Sequence, residues 1–335
     1  MKSFMPGSRE RRPSADRERS HAFVAEVFKE EDLHAKRVES LANGVAGAMR
    51  TVRASIHAIG QAYAEVAEIR PKHGVKQVDR YLSNPAFDVG RLLHGWAAFV
   101  VGAREEVIIA LDWTDFDDDD HMTLSAYVMT SHGRATPLAW RTVHKSTIKG
   151  HQVATEHEFL TSLATALPPK VLVTLLADRG FAHRSLYDLL DSLGWRYIIR
   201  SRTYLWIEHE GRRAHASEWI PTTGRAVRLK NPLISHDKRH VGAVVLVHSK
   251  RMKEGWCLIT NIDAPASDIV KLYGKRFTIE ETFRDRKTYA SDLACALRTS
   301  AMRLDATGSY SCLPSRMPCS PCWAQPPSRL ASIAH

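Results

Sequence analysis

The spacing of apolar positions changes character several times along the chain. Residues 21–69 are Ala-rich and favour helix, predicting two helices near 33–48 and 53–69, the second stopped by Pro71. In H-G-V-K-Q-V-D-R-Y-L-S-N-P, which follows, Val75, Val78 and Leu82 share one helical face while Lys76 and Arg80 stand on another. The turn S-N-P-A-F-D leads into a second amphipathic helix over about 88–101. From residue 105 the period shortens. E-V-I-I-A-L-D-W, L-S-A-Y-V-M-T and A-T-P-L-A-W-R-T-V read as three strands joined by turn-rich links. A helix from Glu156 to Ala166 stops before Pro168-Pro169, and V-L-V-T-L-L-A-D is a strand apolar at nearly every position. Residues 183–193 are helical in pattern, and W-R-Y-I-I-R is another strand.

The resulting order, β-β-β-α-β-α-β, predicts an α/β fold with an RNase H-like core of the retroviral-integrase kind, three antiparallel strands leading into parallel ones. Its first part spans 105–200. Short β-like pieces, Y-L-W-I-E, R-A-V-R-L, V-G-A-V-V-L-V and G-W-C-L-I-T, then predict a β-rich insertion over 201–262. The core is completed by a helical stretch within 263–287. On a helix turning about 100° per residue, Tyr273, Arg276, Glu280 and Lys287 fall within roughly 60° of one another. Arg284 joins them, and Leu272, Ile279 and Phe283 form an adjoining apolar stripe. One face packs, and the next presents a carboxylate framed by cations and a phenol.

Charge adds a partner class. The 335 residues carry a net charge of +10, with 44% hydrophobic and 25% charged residues, the balance of a globular protein with a polyanionic partner. DNA is the first candidate, and an anionic membrane surface a weaker second. Residues 1–20 hold six Lys or Arg against three acids and read as a flexible basic arm. The helical region 21–104, with its helix, turn and helix bearing Lys76 and Arg80, reads as the DNA-binding part. No apolar run approaches the roughly 20 residues of a membrane span. The start lacks a signal core, so a cytoplasmic, nucleoid-associated protein with reduced cysteines is expected.

Carboxylates carry the candidate chemistry. Asp112 ends V-I-I-A-L-D and Asp178 ends V-L-V-T-L-L-A-D, and strand ends are where catalytic groups converge in an open α/β sheet. With Glu280 they make three hard oxygen donors suited to Mg²⁺ or Mn²⁺. Two such ions about 3.5–4 Å apart activate a water or 3′-hydroxyl and stabilise the leaving oxygen of a phosphodiester. Asp115 and the run Asp117 to Asp120 crowd Asp112 and are alternative ligands, although the run reads as a solvated turn. Arg179 either braces a phosphate beside Asp178 or pairs with a local acid. Trp206 and Trp219 stack on a base or pack within small sheets.

These residues resemble the insertion-sequence-four family of bacterial transposases. Y273-(2)-R276-(3)-E280-(6)-K287 meets the spacing of that family's Y-R-E-K signature at all four positions. L-D-W-T-D-F and L-A-D-R-G-F look like its two aspartate motifs, and K-H-G-V-K-Q-V-D-R-Y-L-S-N like its N-terminal region. The resemblance implies a DDE triad of Asp112, Asp178 and Glu280 that binds two divalent ions. It also implies contacts to the DNA end from Tyr273, Arg276 and Lys287. The implied reaction is cut-and-paste transposition by a homodimer on paired terminal inverted repeats, with attack on target DNA and no high-energy cofactor. A structure-selective nuclease on the same core, and a non-catalytic inhibitor occupying element ends, are the alternatives.

After Lys287 the text departs from the family. Residues 288–335 are dense in Pro, Ser and Cys and lose helical periodicity, reading as an irregular tail. Cys319 and Cys322 form a C-x-x-C with no second pair for a zinc site. Restoring one nucleotide after the codon for Lys287 permits the text K-D-V-R-F-G-P-G-M, and from about residue 305 an apolar helix. A frameshifted copy of weakened activity is therefore expected.

Overall fold

A computed structural model describes residues 13–31, 33–51, 53–116, 120–130, 135–250 and 252–279. The N-terminal helices follow their capping chemistry. Helix α1 (Pro13–Val27) opens on a proline. His34 caps α2 (Ala35–Arg50), Ser55 caps α3 (Ile56–Val66) and Asp88 caps α5 (Val89–Val101), each side chain accepting from a backbone N–H of the first turn. Helix α4 (Pro71–Leu82) again starts at proline. Residues 13–20, read from sequence as part of a flexible arm, are instead helical, and residues 1–12 lie outside the described residues. The cause is pairing: Arg17 donates to Glu39 at 3.1 Å and to Asn43 at 3.3 Å, and Ser20 is buried.

Helices α3 and α4 meet backbone to backbone. A Cβ on Gly60 would sit 2.4 Å from the Val75 Cα, and one on Gly74 would sit 2.2 Å from the Gly60 carbonyl oxygen. Helix α5 belongs as much to the core as to this helical region. Ala97 and Val101 are fully buried in the main cluster, and Trp96 Nε1 donates to the Pro137 carbonyl at 2.9 Å.

The centre is a mixed eight-stranded sheet. Strands β1 (Glu106–Phe116), β2 (His121–Met129) and β3 (Ala135–His144) are an antiparallel meander, and β4 (Leu172–Ala177) and β5 (Arg196–Ser201) run parallel to β1. Between β3 and β4 lie α6 (Lys145–Ile148) and α7 (Gln152–Ala166), and between β4 and β5 lies α8 (Arg184–Ser192). Beyond β5 come β6 (Trp206–His209), β7 (Arg212–His215), α9 (Ala216–Trp219), β8 (Val227–Lys230), β9 (Leu233–Ile234) and β10 (Arg239–His240). Then follow β11 (Ala243–Val247), β12 (Trp256–Thr260) and α10 (Ala266–Gly274). The order across the main sheet is β3-β2-β1-β4-β5-β12-β11-β8.

The expected insertion is thus divided. β6, β7, β9 and β10 form a separate four-stranded sheet, whereas β8, β11 and β12 extend the main sheet, with β12 antiparallel to β5. Burial explains the difference: all five residues of β11 are buried, as a strand covered on both faces requires. The small sheet is clamped to α8 by Arg239, which bonds Asp188 and reaches Asp191 at 2.8 Å, and by Arg184 with Asp237 at 2.7 Å.

Strand alternation sorts the core into two layers. Ile109, Leu111, Leu175, Ala177 and Ile199 face α5, α7 and α8. Ala110, Leu176, Ile198, Val245 and Leu258 face the other way, against Ile269 and Tyr273 of α10 and against Ile279.

Candidate active site

Parallel pairing brings the two aspartates together. The register matches Leu111 with Ala177, and Asp112 and Asp178 are the next residue of each strand line. Alternation puts Asp112 on the face of Ala110, the α10 side of the sheet, and Asp178 continues from Leu176 and Ala177 with extended backbone, φ −83° and ψ −175°. Asp115, three residues after Asp112, points to the opposite face and pairs with Lys145. Of the two, Asp112 is the one turned toward α10.

The loop after Asp178 is tightly held. Its Oδ1 accepts from the Gly180 N–H at 2.9 Å, capping a 3₁₀ turn over Arg179–Phe181, and Phe181 is buried beneath. A Cβ on Gly180 would stand 3.1 Å from that oxygen, so glycine lets the amide approach the carboxylate closely.

The Tyr273 to Lys287 segment departs from the single helical wheel. Helix α10 ends at Gly274, and a 3₁₀ turn follows over Lys275–Phe277. Side chains in such a turn advance about 120° per residue, which moves Arg276 relative to Tyr273. Tyr273 is 1% exposed, in the apolar layer with its ring edge-on to Trp256 at 5.2 Å. This corrects its expected place on an open DNA-facing stripe: spaced i, i+4 from Ile269, it belongs to the packing face. Arg276 is also largely buried, and its Nη2 donates to Asp112 Oδ1 at 2.6 Å. The cation expected at a DNA phosphate is bonded to the first acid. Glu280, Arg284 and Lys287 lie outside the described residues. Among the described residues no group of three or more His, Cys, Asp or Glu is gathered for a metal.

Next to Asp178 a cavity of about 350 Å³ is lined by Arg179, Arg200, Arg202, Tyr204 and Glu254. Arg200 holds Glu254 at 2.5 Å, and that guanidinium keeps the Glu254 carboxyl below its ordinary range. Arg179 stands 3.8 Å from the same carboxylate, so it pairs with a local acid. Trp206 packs on His215 at 3.9 Å, and Arg212 lies over Trp219 at 4.4 Å, the packing alternative for both indoles. Lys76 and Arg80 are exposed on α4, which packs on α2 and α3 rather than beside the acids.

One buried group went unread in the sequence. Glu156 is 1% exposed and accepts from Trp113 Nε1 at 2.8 Å, Gln152 Nε2 at 3.1 Å and His183 Nε2 at 2.9 Å. Its signal was present: a carboxylate at i, i+4, i+7 with Leu160 and Leu163, inside an apolar stripe.

A family profile described as a transposase DDE domain matches residues 104–308, more than half of the chain. The match continues past Lys287, where the sequence reading ended the likeness. No curated protein matches. Among solved structures, Marinitoga piezophila Argonaute with a 5′-OH guide RNA aligns at 10% identity and a TM-score of 0.22, over 63% of this chain and 31% of that one. The same Argonaute with guide RNA and target DNA gives 10% identity and a TM-score of 0.20, over 62% and 30%. The chain spans about a third of the length of those Argonautes.

Proposed function

The chain belongs to the transposase DDE-domain family, and on that premise we propose that it is a transposase of the insertion-sequence-four kind. It cleaves DNA at the ends of its element and joins the freed 3′-hydroxyl to target DNA. The observation that carries the reading is the parallel register that sets Leu111 beside Ala177, so that Asp112 and Asp178 follow on neighbouring strand lines. The strand order β3-β2-β1-β4-β5 supports an RNase H-like core.

The donor set fits divalent ions. Asp112, within β1, and Asp178, just past the end of β4, supply two carboxylates by neighbouring strand lines, and Glu280 follows α10 in sequence as the third. Hard oxygens of this kind suit Mg²⁺ or Mn²⁺. The chemistry that two such ions supply when bound is activation of an attacking oxygen and stabilisation of a leaving one.

The remaining roles belong to the chain's own groups. Arg276 gives Asp112 its counter-charge in the free protein, and its guanidinium fork is suited to a DNA phosphate once the acid has another cation. Arg284 and Lys287 serve the phosphates of the DNA end. Lys76 and Arg80, exposed on α4, grip flanking duplex through its backbone. Tyr273 acts from within, fixing α10 against the sheet. The working form is a homodimer on paired inverted repeats, in the cytoplasm. The Pro-, Ser- and Cys-rich text lies beyond residue 308, where the family profile ends; it supports a shifted reading frame and a copy of reduced activity, and the gene's own nucleotides decide that point.

The test uses the full chain, Mn²⁺ and a duplex carrying the inverted repeats that flank the gene. Metal-dependent cleavage followed by joining to a second duplex supports the proposal. Cleavage without joining favours the nuclease, and binding without cleavage favours the non-catalytic occupant of element ends.

A further inference from the structure

Three side chains converge on the Glu156 carboxylate, and all three arrive as donors. That is the partner set of an acceptor-only group. The tautomer of His183 follows from its other nitrogen: Nδ1 accepts from the Leu186 N–H at 3.2 Å as the cap of α8, so Nε2 carries the proton and donates to Glu156.

The donors' places in the chain matter more than their number. Trp113 directly follows Asp112 on β1, with its side chain on the opposite face. His183 lies five residues beyond Asp178, at the far end of the loop that opens with the Asp178 to Gly180 bond. Glu156 sits on α7, between them, and belongs to neither segment.

We infer that Glu156 is a positioning residue, one carboxylate that ties the chain leaving Asp112 to the chain leaving Asp178. Anchoring the Trp113 indole fixes the twist of β1 at its last buried residues, and so the direction in which Asp112 projects. Anchoring His183 closes the loop behind Asp178, with Phe181 buried between the two fixed points. The two acids are held at a constant separation by a group that touches neither. The inference rests on reading Asp112 and Asp178 as the pair that holds divalent ions.

The test compares the full-length wild type with Glu156→Ala, Glu156→Gln and Trp113→Phe. Hydrogen exchange read by mass spectrometry reports on the tie itself. Glu156→Ala is expected to lose protection in two segments together, 108–116 and 178–187, while β5 and β11 keep theirs. Glu156→Gln retains an oxygen for Trp113 and Gln152 but faces His183 with an amide, so only 178–187 should loosen. Trp113→Phe removes the indole N–H alone, so only 108–116 should loosen. Unchanged exchange in both segments, or protection lost evenly across the sheet, overturns the inference.

Titration with Mn²⁺ reads the consequence. Glu156→Ala should raise the dissociation constant about tenfold, the effect of losing a group that orients ligands. Local loosening with an unchanged Mn²⁺ constant overturns the positioning role. A wild type that binds no Mn²⁺ counts against the metal-holding reading of the acids, and the exchange pattern then decides the tie by itself.

Discussion

Arg276 reaches across 164 residues of sequence to Asp112, its Nη2 2.6 Å from the carboxylate Oδ1, with both side chains mostly shielded from water. A charge-assisted bond of this kind is worth about 1.5–3 kcal/mol. The guanidinium therefore competes with any cation for the same oxygen. Arg276→Ala should tighten Mn²⁺ binding severalfold while weakening binding of a DNA end about tenfold, since the phosphate contact is lost with the charge. Calorimetric titration with Mn²⁺ and a DNA-binding assay read the two effects. An unchanged Mn²⁺ affinity would show that the pair does not compete.

The two aspartates should be unequal in stability although equal in catalysis. Asp112→Asn leaves a partly buried Arg276 without its counter-charge, a loss of about 1–3 kcal/mol. Asp178→Asn keeps an oxygen for the Gly180 N–H and should melt close to the wild type. Both should cut the cleavage rate at least about a thousandfold, with DNA affinity held within a few-fold, a pattern assigned to chemistry rather than binding. Thermal melts and single-turnover cleavage of the same preparations separate the two effects.

Local periodicity made much of this fold legible. The succession from β1 to β5 is visible in runs of six to nine residues, and the register that sets Leu111 beside Ala177 brings Asp112, within β1, next to Asp178, just past β4. Pairing between distant strands was not legible. V-G-A-V-V-L-V looked like one more piece of an insertion, and nothing within its own sequence names Leu229 or Ile259 as a neighbour. Glu156 was hidden for the same reason, its partners lying 43 and 27 residues away. The wheel that joins Tyr273 to Glu280 leaves out Ile269, which sets Tyr273 on the packing face one turn earlier, and the 3₁₀ turn after Gly274 breaks the wheel beyond it.

Tyr273 itself gives a stability prediction. Its ring fills the layer between α10 and the sheet, with Trp256 edge-on and Phe277 beyond. Tyr273→Ala should cost about 3–5 kcal/mol, the range for deleting a buried aromatic side chain. Denaturant unfolding measures it through a lower midpoint at an unchanged slope. Tyr273→Phe, which keeps the ring, should retain most of the stability and DNA-end affinity within a few-fold. A large loss of DNA affinity in Tyr273→Phe would restore the phenol to the DNA surface.

The last prediction concerns how α4 is presented. Lys76 and Arg80 are exposed one turn apart on a helix whose opposite side lies against α3 with no room for a Cβ at Gly60 or Gly74. If these cations hold phosphates, Lys76→Ala and Arg80→Ala should each weaken DNA binding at every sequence tested and reduce the slope of log K against log salt by about 1. Gly74→Ala acts differently. Its Cβ would stand 2.2 Å from a backbone oxygen, so α4 must move away from α3, at a cost of about 1–3 kcal/mol. Both cations remain, so its salt slope should stay near the wild type while affinity and melting temperature fall together. Equal slopes for all three variants would mean that α4 meets DNA through shape rather than charge.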